Sequence, residues 1–197
     1  MSAARPVRLV AIGGSAGGIE ALGALLPALP ATFRPSVVVV LHLLASKPSL
    51  LSDIFAPRCA LPVREPLDKD AVEPGTIYFA PPGYHLMIER DEPRSEACHF
   101  ALSTDAPVHN SRPAIDVLFE SVAEVYGARA AGVVLSGANT DGALGLAAIQ
   151  RAGGVALVQA PHTAQIETMP RAAIGAGPVD AVEELERLAA RLQSMDG

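Results

Sequence analysis

A chain of 197 residues, half of them hydrophobic, suits one domain with a sizeable core, and with only 4% aromatic residues that core is built from Val, Leu, Ile and Ala. The formal net charge of -6 and the scattered Lys and Arg argue against nucleic acid as a partner. No stretch approaches the roughly 20 uninterrupted apolar residues of a membrane span, which argues against membrane insertion.

"MSAARPVRLVAI" runs straight into a strand pattern without a signal-peptide cleavage site, so the expected location is cytoplasmic. "VRLVAI" reads as a buried strand, Gly13 to Gly18 as a turn, and "GIEALGALLPAL" as a helix closed by Pro27 and Pro30. "SVVVVLHLL", Ser36 to Leu44, is a second strand, too continuously apolar to have a solvated face. "PSLLSDIFAPRC" reads as a short helix capped by Ser46 or Ser49. Cys59 and Cys98 stand in dissimilar contexts without a CxxC partner, which argues against a disulfide framework and against structural zinc. Prolines dominate from Pro57 to Pro66, and "VREPLDKDAVEPGTIYFAPPGYHLMIER" reads as short strands joined by tight turns at Glu73-Pro74-Gly75 and Pro81-Pro82-Gly83. "HLMIE" and "CHFAL", joined by the polar "RDEPRSE", form a hairpin pattern. "RPAIDVLFESVAEVYGA" is amphipathic, with Ile115, Leu118, Phe119, Val122 and Val125 on one face. "GVVLSGANTDGALGLAAIQRAGG" repeats the strand, turn and helix pattern, "VALVQ" adds a strand, and "DAVEELERLAARLQS" predicts a last helix with Asp180 as N-cap.

Strands alternating with helices predict an α/β fold: a doubly wound, mostly parallel sheet flanked by helices in three α/β/α layers, with a small β-hairpin excursion. Such folds bind ligands beyond the carboxyl ends of their strands. Ser15, His42 and Asp141 each fall at or just after an apolar run, so a parallel sheet would gather them on one rim. Ser, His and Asp are the residue types of nucleophilic acyl transfer, in which imidazole takes the serine proton and the carboxylate fixes the tautomer. Each also has a plainer reading. Ser15 could cap the helix after it, Asp141 could cap the helix starting near Ala143, and His42 could be a hydrogen-bonded core histidine. The turn could instead cradle a phosphate, but "GGSAGG" departs from GxGxxG and carries no Lys-Ser/Thr pair. His85 reads as a strand-start or rim residue, and His99, His109 and His162 as surface residues in or near turns.

The stretches "AIGGSAGGIEAL", "VVVVLHL", "VEPGTIYFAPPGYHLMI", "NSRPAIDVLFESVA", "GVVLSGANTDGALGL" and "TMPRAAI" together make the chain resemble, nearly end to end, the catalytic domain of the chemotaxis receptor methylesterase (CheB) family. That family removes methyl groups from glutamate methyl esters on the cytoplasmic helices of chemoreceptors, and it can deamidate particular glutamines there. The resemblance implies Ser15 as nucleophile, His42 as general base and acid, and Asp141 as the residue that orients His42. It also implies a rim of Arg112 and Asp116, a loop bearing Met169 and Pro170, and an oxyanion hole from backbone amides near Ala16 and Ala138. The expected partner is a methyl-accepting chemoreceptor, and neither an organic cofactor nor a metal is implied.

The family's usual Ser-Thr is Ser15-Ala16 here, its Gly-Met-Gly turn is Gly137-Ala138-Asn139, and Thr168 replaces a common Gly. These departures leave backbone donors intact, and they also suit an alternative reading as a catalytically weakened adaptor that docks on receptor complexes. Ser15 follows Met1 by only fourteen residues, so residues 1–197 read as a single catalytic domain without the family's common receiver domain.

Overall fold

A computed structural model describes residues 6–42, 49–92 and 95–196. β1 (Leu9–Gly14) and β2 (Ser36–Leu41) are buried along their whole length. With β3 (Val63–Arg64), β4 (Ile77–Phe79), β7 (Ala130–Val134), β8 (Val155–Gln159) and β9 (Ala181–Glu183) they make a seven-stranded sheet in the order β3-β4-β2-β1-β7-β8-β9, parallel throughout. β5 (His85–Arg90) and β6 (Cys98–Ser103) form the separate antiparallel hairpin.

The strands alternate their burial between two cores. Val10 and Ile12 of β1, with Val37, Val39 and Leu41 of β2, face one layer containing α1 (Gly18–Leu25), α2 (Leu51–Phe55) and α6 (Leu185–Gln193), where Leu22, Phe55 and Leu188 are buried. Leu9, Ala11, Val38 and Val40 face the other layer with α3 (Ile115–Tyr126), α4 (Ala143–Arg151), α5 (Thr168–Ala176) and the hairpin, where Phe119, Leu146, Met169 and Phe100 pack. Each fully buried side chain of this size contributes about 1.5–3 kcal/mol, so both layers are held as firmly as ordinary α/β cores. α3 approaches β1 so closely that a Cβ at Gly13 would sit 2.3 Å from Ile115 Cγ2, which fixes the start of α3 beside the end of β1.

Several expectations shift. The last helix is not capped by Asp180. Ala181–Glu183 forms the edge strand β9, whose start Asp180 ties to β8 by donating its N–H to Ala156 O and accepting from Ala156 N at 2.7 Å. Glu184 takes the N-cap position of α6. Three residues with two apolar members carry too short a period to separate strand from helix. "TMPRAA" is the first turns of α5 rather than a loop. His99 lies within β6, half-buried between Asp91 at 2.6 Å and Glu89 at 3.2 Å, not in a surface turn. The N-cap position of α2 is Leu50 rather than Ser49, although Ser49 Oγ accepts from Leu51 N at 3.2 Å just before it, whereas Ser46 and the end of the expected second strand, 43–44, lie outside the described residues. Both cysteines are free thiols.

Candidate active site

β1 lies between β2 and β7, so the loops leaving these three strands share one rim. Ser15 follows β1 directly. Its N–H donates to Ser136 O at 2.9 Å beyond β7, and its carbonyl accepts from Gly18 N at 2.8 Å, closing a tight turn into α1. Gly17 takes the N-cap position at φ 79°, a left-handed conformation suited to glycine, and an added Cβ would come within 2.7 Å of Ser136 Oγ. No side chain caps α1, so the half-buried Ser15 does not spend its hydroxyl as the helix cap.

His42 extends β2 by one residue and donates its N–H to Gly14 O at 3.2 Å, which puts it beside Ser15 at the ends of neighbouring strands about 5 Å apart. Its ring Nε2 lies 2.8 Å from Asp141 Oδ2. Asp141 is fully buried, and it does not cap α4, whose N-cap is Gly142 with no side-chain bond. Instead its carboxylate reaches across to the start of α3: Oδ2 accepts from Ile115 N at 2.7 Å and Oδ1 from Asp116 N at 2.9 Å. Burial alone would raise this carboxyl, but the bonds from His42, Asp116 N–H and Ile115 N–H outweigh it and hold it below the usual carboxylate range. An ionised carboxylate only accepts, so Nε2 of His42 is the donor in this pair, and in the neutral ring the lone pair is on Nδ1. Ser111 Oγ lies 3.5 Å from that Nδ1.

Asp116 stands behind Asp141, buried, with Oδ1 accepting from Gly145 N at 2.7 Å and Oδ2 3.1 Å from His109 Nε2. Burial pushes its carboxyl up, with the Asp141 charge adding to the rise against the Gly145 and His109 bonds. His109, expected as an ordinary surface residue, therefore belongs to the site's supporting network. Nothing in its turn-like setting in the sequence signals that pairing. His109, Asp116 and Asp141 bring ligand-type atoms within 4.8 Å of one another, the one grouping of metal-ligand type among the described residues. Each carboxylate oxygen in it already accepts a hydrogen bond.

Two further residues escape the sequence reading. Ser136, buried, donates its hydroxyl to Ala16 O at 2.7 Å and accepts from Ile166 N at 2.9 Å, joining three loops of the rim. Gln159 fixes Ser136 in turn, its Oε1 accepting from Ser136 N at 2.9 Å. Ser136 closes an apolar run as Ser15 does, and that was the available signal.

Among the other expected rim residues, Ala16 and Ala138 are exposed, and among the described residues their N–H groups have no protein acceptor. Met169 is buried against the Gly137 turn, its N–H donating to Gly137 O at 3.0 Å, and Pro170 follows it in α5. Arg112 braces the rim through Nη1, which donates to the carbonyls of Thr104 and Asp105 at 2.7 and 2.9 Å, while its buried Nε has no partner among the described residues. Asn139 Oδ1 accepts from Asp141 N at 3.1 Å, a local turn that helps place the carboxylate. His85 is a satisfied buried residue, 3.1 Å from Ala106 O through Nε2 and accepting from Ala114 N at 3.2 Å.

The family model for CheB methylesterase matches residues 10–192. The chain belongs to the CheB methylesterase family. A family member from Leptospira interrogans serogroup Icterohaemorrhagiae serovar copenhageni, named a putative protein-glutamate methylesterase/protein-glutamine glutaminase, is 44% identical over 180 residues, which are 91% of this chain and 90% of that one. A member from Xanthomonas oryzae pv. oryzae, named protein-glutamate methylesterase/protein-glutamine glutaminase 2, is 42% identical over 95% of this chain and 51% of its own length. The crystal structure of the Thermotoga maritima CheB methylesterase catalytic domain superposes with a TM-score of 0.89 at 28% identity, covering 97% of this chain and all of that one. The three-layer α/β/α fold expected from the alternating strands and helices is therefore observed, and it is the fold of the CheB catalytic domain.

Proposed function

We propose that the chain is a serine hydrolase that removes methyl esters from glutamate side chains of chemoreceptor cytoplasmic helices, with glutamine deamidation there as a related reaction. The observation that carries this reading is the buried Asp141 carboxylate, which holds His42 Nε2 at 2.8 Å while two main-chain N–H groups fix the carboxylate itself. That leaves Nδ1 as the base. Ser15, one strand away and not engaged as a helix cap, is the nucleophile that the resemblance and this geometry both favour. Its hydroxyl gives a proton to Nδ1 as Oγ attacks the ester carbonyl, and Asp141 stabilises the imidazolium that forms. The proton then passes to the leaving methoxide, releasing methanol and leaving a glutamyl-Ser15 ester. Water, deprotonated by the same nitrogen, hydrolyses that ester to the free carboxylate and restores Ser15.

Developing charge on the ester oxygen needs donors, and the N–H groups of Ala16 and Ala138 suit the task, since both are exposed and free of protein acceptors among the described residues. The N-terminus of α1 lies next to the same loop and favours negative charge there. Donors of this kind contribute about 2.7–4 kcal/mol each to the transition state. No helix among the described residues is long and apolar enough to cross a membrane, so receptor helices would be met from outside the bilayer.

The test is methanol release from methyl-labelled receptor membranes by the purified protein beside Ser15→Ala. Release by the wild type alone supports the reading. No release from either, with a folded protein that still binds receptor, supports the adaptor instead.

A further inference from the structure

The opposite rim of the sheet holds a cleft of about 790 Å³ that takes no part in the chemistry above. It opens where strands begin: Arg8 precedes β1, Arg34 comes just before β2, Arg129 precedes β7, and Arg90 ends β5. The strands between the two rims are six residues long at β1, so the cleft lies roughly 20 Å from Ser15. Its volume falls in the range of small-molecule sites, about 300–1,000 Å³.

Charge is what distinguishes it. Four arginines line the cleft against two carboxylates, Glu96 and Asp196, an excess of two positive charges on a chain whose net charge is -6. The carboxylates do not neutralise the set. Glu96 is shared between Arg129 at 2.8 Å and Arg8 at 3.9 Å, and Asp196 is engaged by the main-chain N–H of Arg34 at 2.8 Å. Arg90 is half-buried and donates to the carbonyls of Ser95 and Val125, so its guanidinium is held in place without a carboxylate partner among the described residues. Arg34 likewise forms no ion pair among the described residues. The half-buried Arg90 guanidinium is satisfied by carbonyls rather than by a carboxylate, so its positive charge is available to an anion entering the cleft. Arginines from several elements line this one cleft, and guanidinium groups match the oxygens of a phosphoryl group, which accepts several charge-assisted bonds at once.

We propose that this cleft binds a phosphorylated small molecule. The proposal is independent of the reaction assigned to Ser15, and its test does not use that reaction. Isothermal titration at low ionic strength is carried out with pyrophosphate, with ADP and with citrate. Pyrophosphate and ADP are expected to bind, with citrate weaker. In the double variant Arg8→Glu/Arg34→Glu, whose altered residues are exposed, the affinity for pyrophosphate is expected to fall roughly tenfold or more. Glu96→Gln, which frees Arg8 and Arg129, is expected to bind pyrophosphate more tightly, and this second readout stands even if the double variant proves unstable. Absence of binding by both phosphoryl probes at millimolar concentration overturns the proposal. So does unchanged affinity in both variants, or tighter binding of citrate than of pyrophosphate.

Discussion

Replacing Asp141 by Asn keeps the size of the side chain and removes its charge. The carboxylate accepts three hydrogen bonds, from His42 Nε2 at 2.8 Å, Ile115 N at 2.7 Å and Asp116 N at 2.9 Å. An amide has one acceptor oxygen, so its NH2 must face a donor. With the oxygen toward His42 and Ile115, the NH2 opposes Asp116 N–H, and the imidazolium formed in the reaction loses its carboxylate. With the amide reversed, the NH2 faces His42 and forces the ring proton onto Nδ1, which removes the base. One bond to a charged group is worth about 1.5–3 kcal/mol, and a wrong tautomer costs about 10⁴ in the serine-protease case, so kcat is expected to fall between about 10 and 10⁴-fold. The stranded Asp116 N–H adds a folding penalty of about 2–3 kcal/mol, or roughly 4–12 °C in Tm for a domain of this size. The assay pairs initial rates of methanol release with thermal melts. A folded variant with kcat within about tenfold of the wild type would refute the assignment of His42 and Asp141 as a working pair.

The other predictions concern the same rim. The Asp141 carboxyl is held below its ordinary value of 3.8, so its contribution to stability is present above that value and is lost as pH falls through the lower folded value. Melts across the acid range should therefore show a steeper loss of Tm in the wild type than in Asp141→Asn, and parallel curves would contradict it. Ser136→Ala strands Ile166 N–H and frees Ala16 O, costing about 1–3 kcal/mol of stability. Because that hydroxyl positions the Ser15 loop, kcat should fall more than KM rises, and steady-state kinetics separate the two. Gly17→Ala places a Cβ 2.7 Å from Ser136 Oγ at φ 79°, so a loss of about 1–3 kcal/mol in chemical denaturation and a lower kcat are expected.

How much of this could be read from the chain follows from what each residue answers to. Ser15, His42 and Asp141 could be read as candidates because each falls at or just after an apolar run, and parallel strands gather such ends on one rim. Their plainer readings as helix caps were equally open in the sequence. Only the fold shows Gly17 and Gly142 in the cap positions, and Asp141 reaching instead to the N-terminus of α3. That bond spans 26 residues of sequence and has no local pattern. The pairing of His109 with Asp116 was invisible for the opposite reason, since a histidine in a polar loop looks the same whether or not it leans on a buried carboxylate. β9 was lost to its length, three residues that could equally have opened the following helix.

The loop bearing Ser15 is tied down through its main chain, by Ser136 O, Gly18 N and the Ser136 hydroxyl on Ala16 O, while Ala16 itself is exposed. Ala138 is likewise exposed beside a turn whose Gly137 is hydrogen-bonded on both sides, to Ile166 O and from Met169 N. Position and identity are thus uncoupled at these two sites. A lineage can exchange the side chains that a docking helix meets there without disturbing the frame that holds the reactive groups.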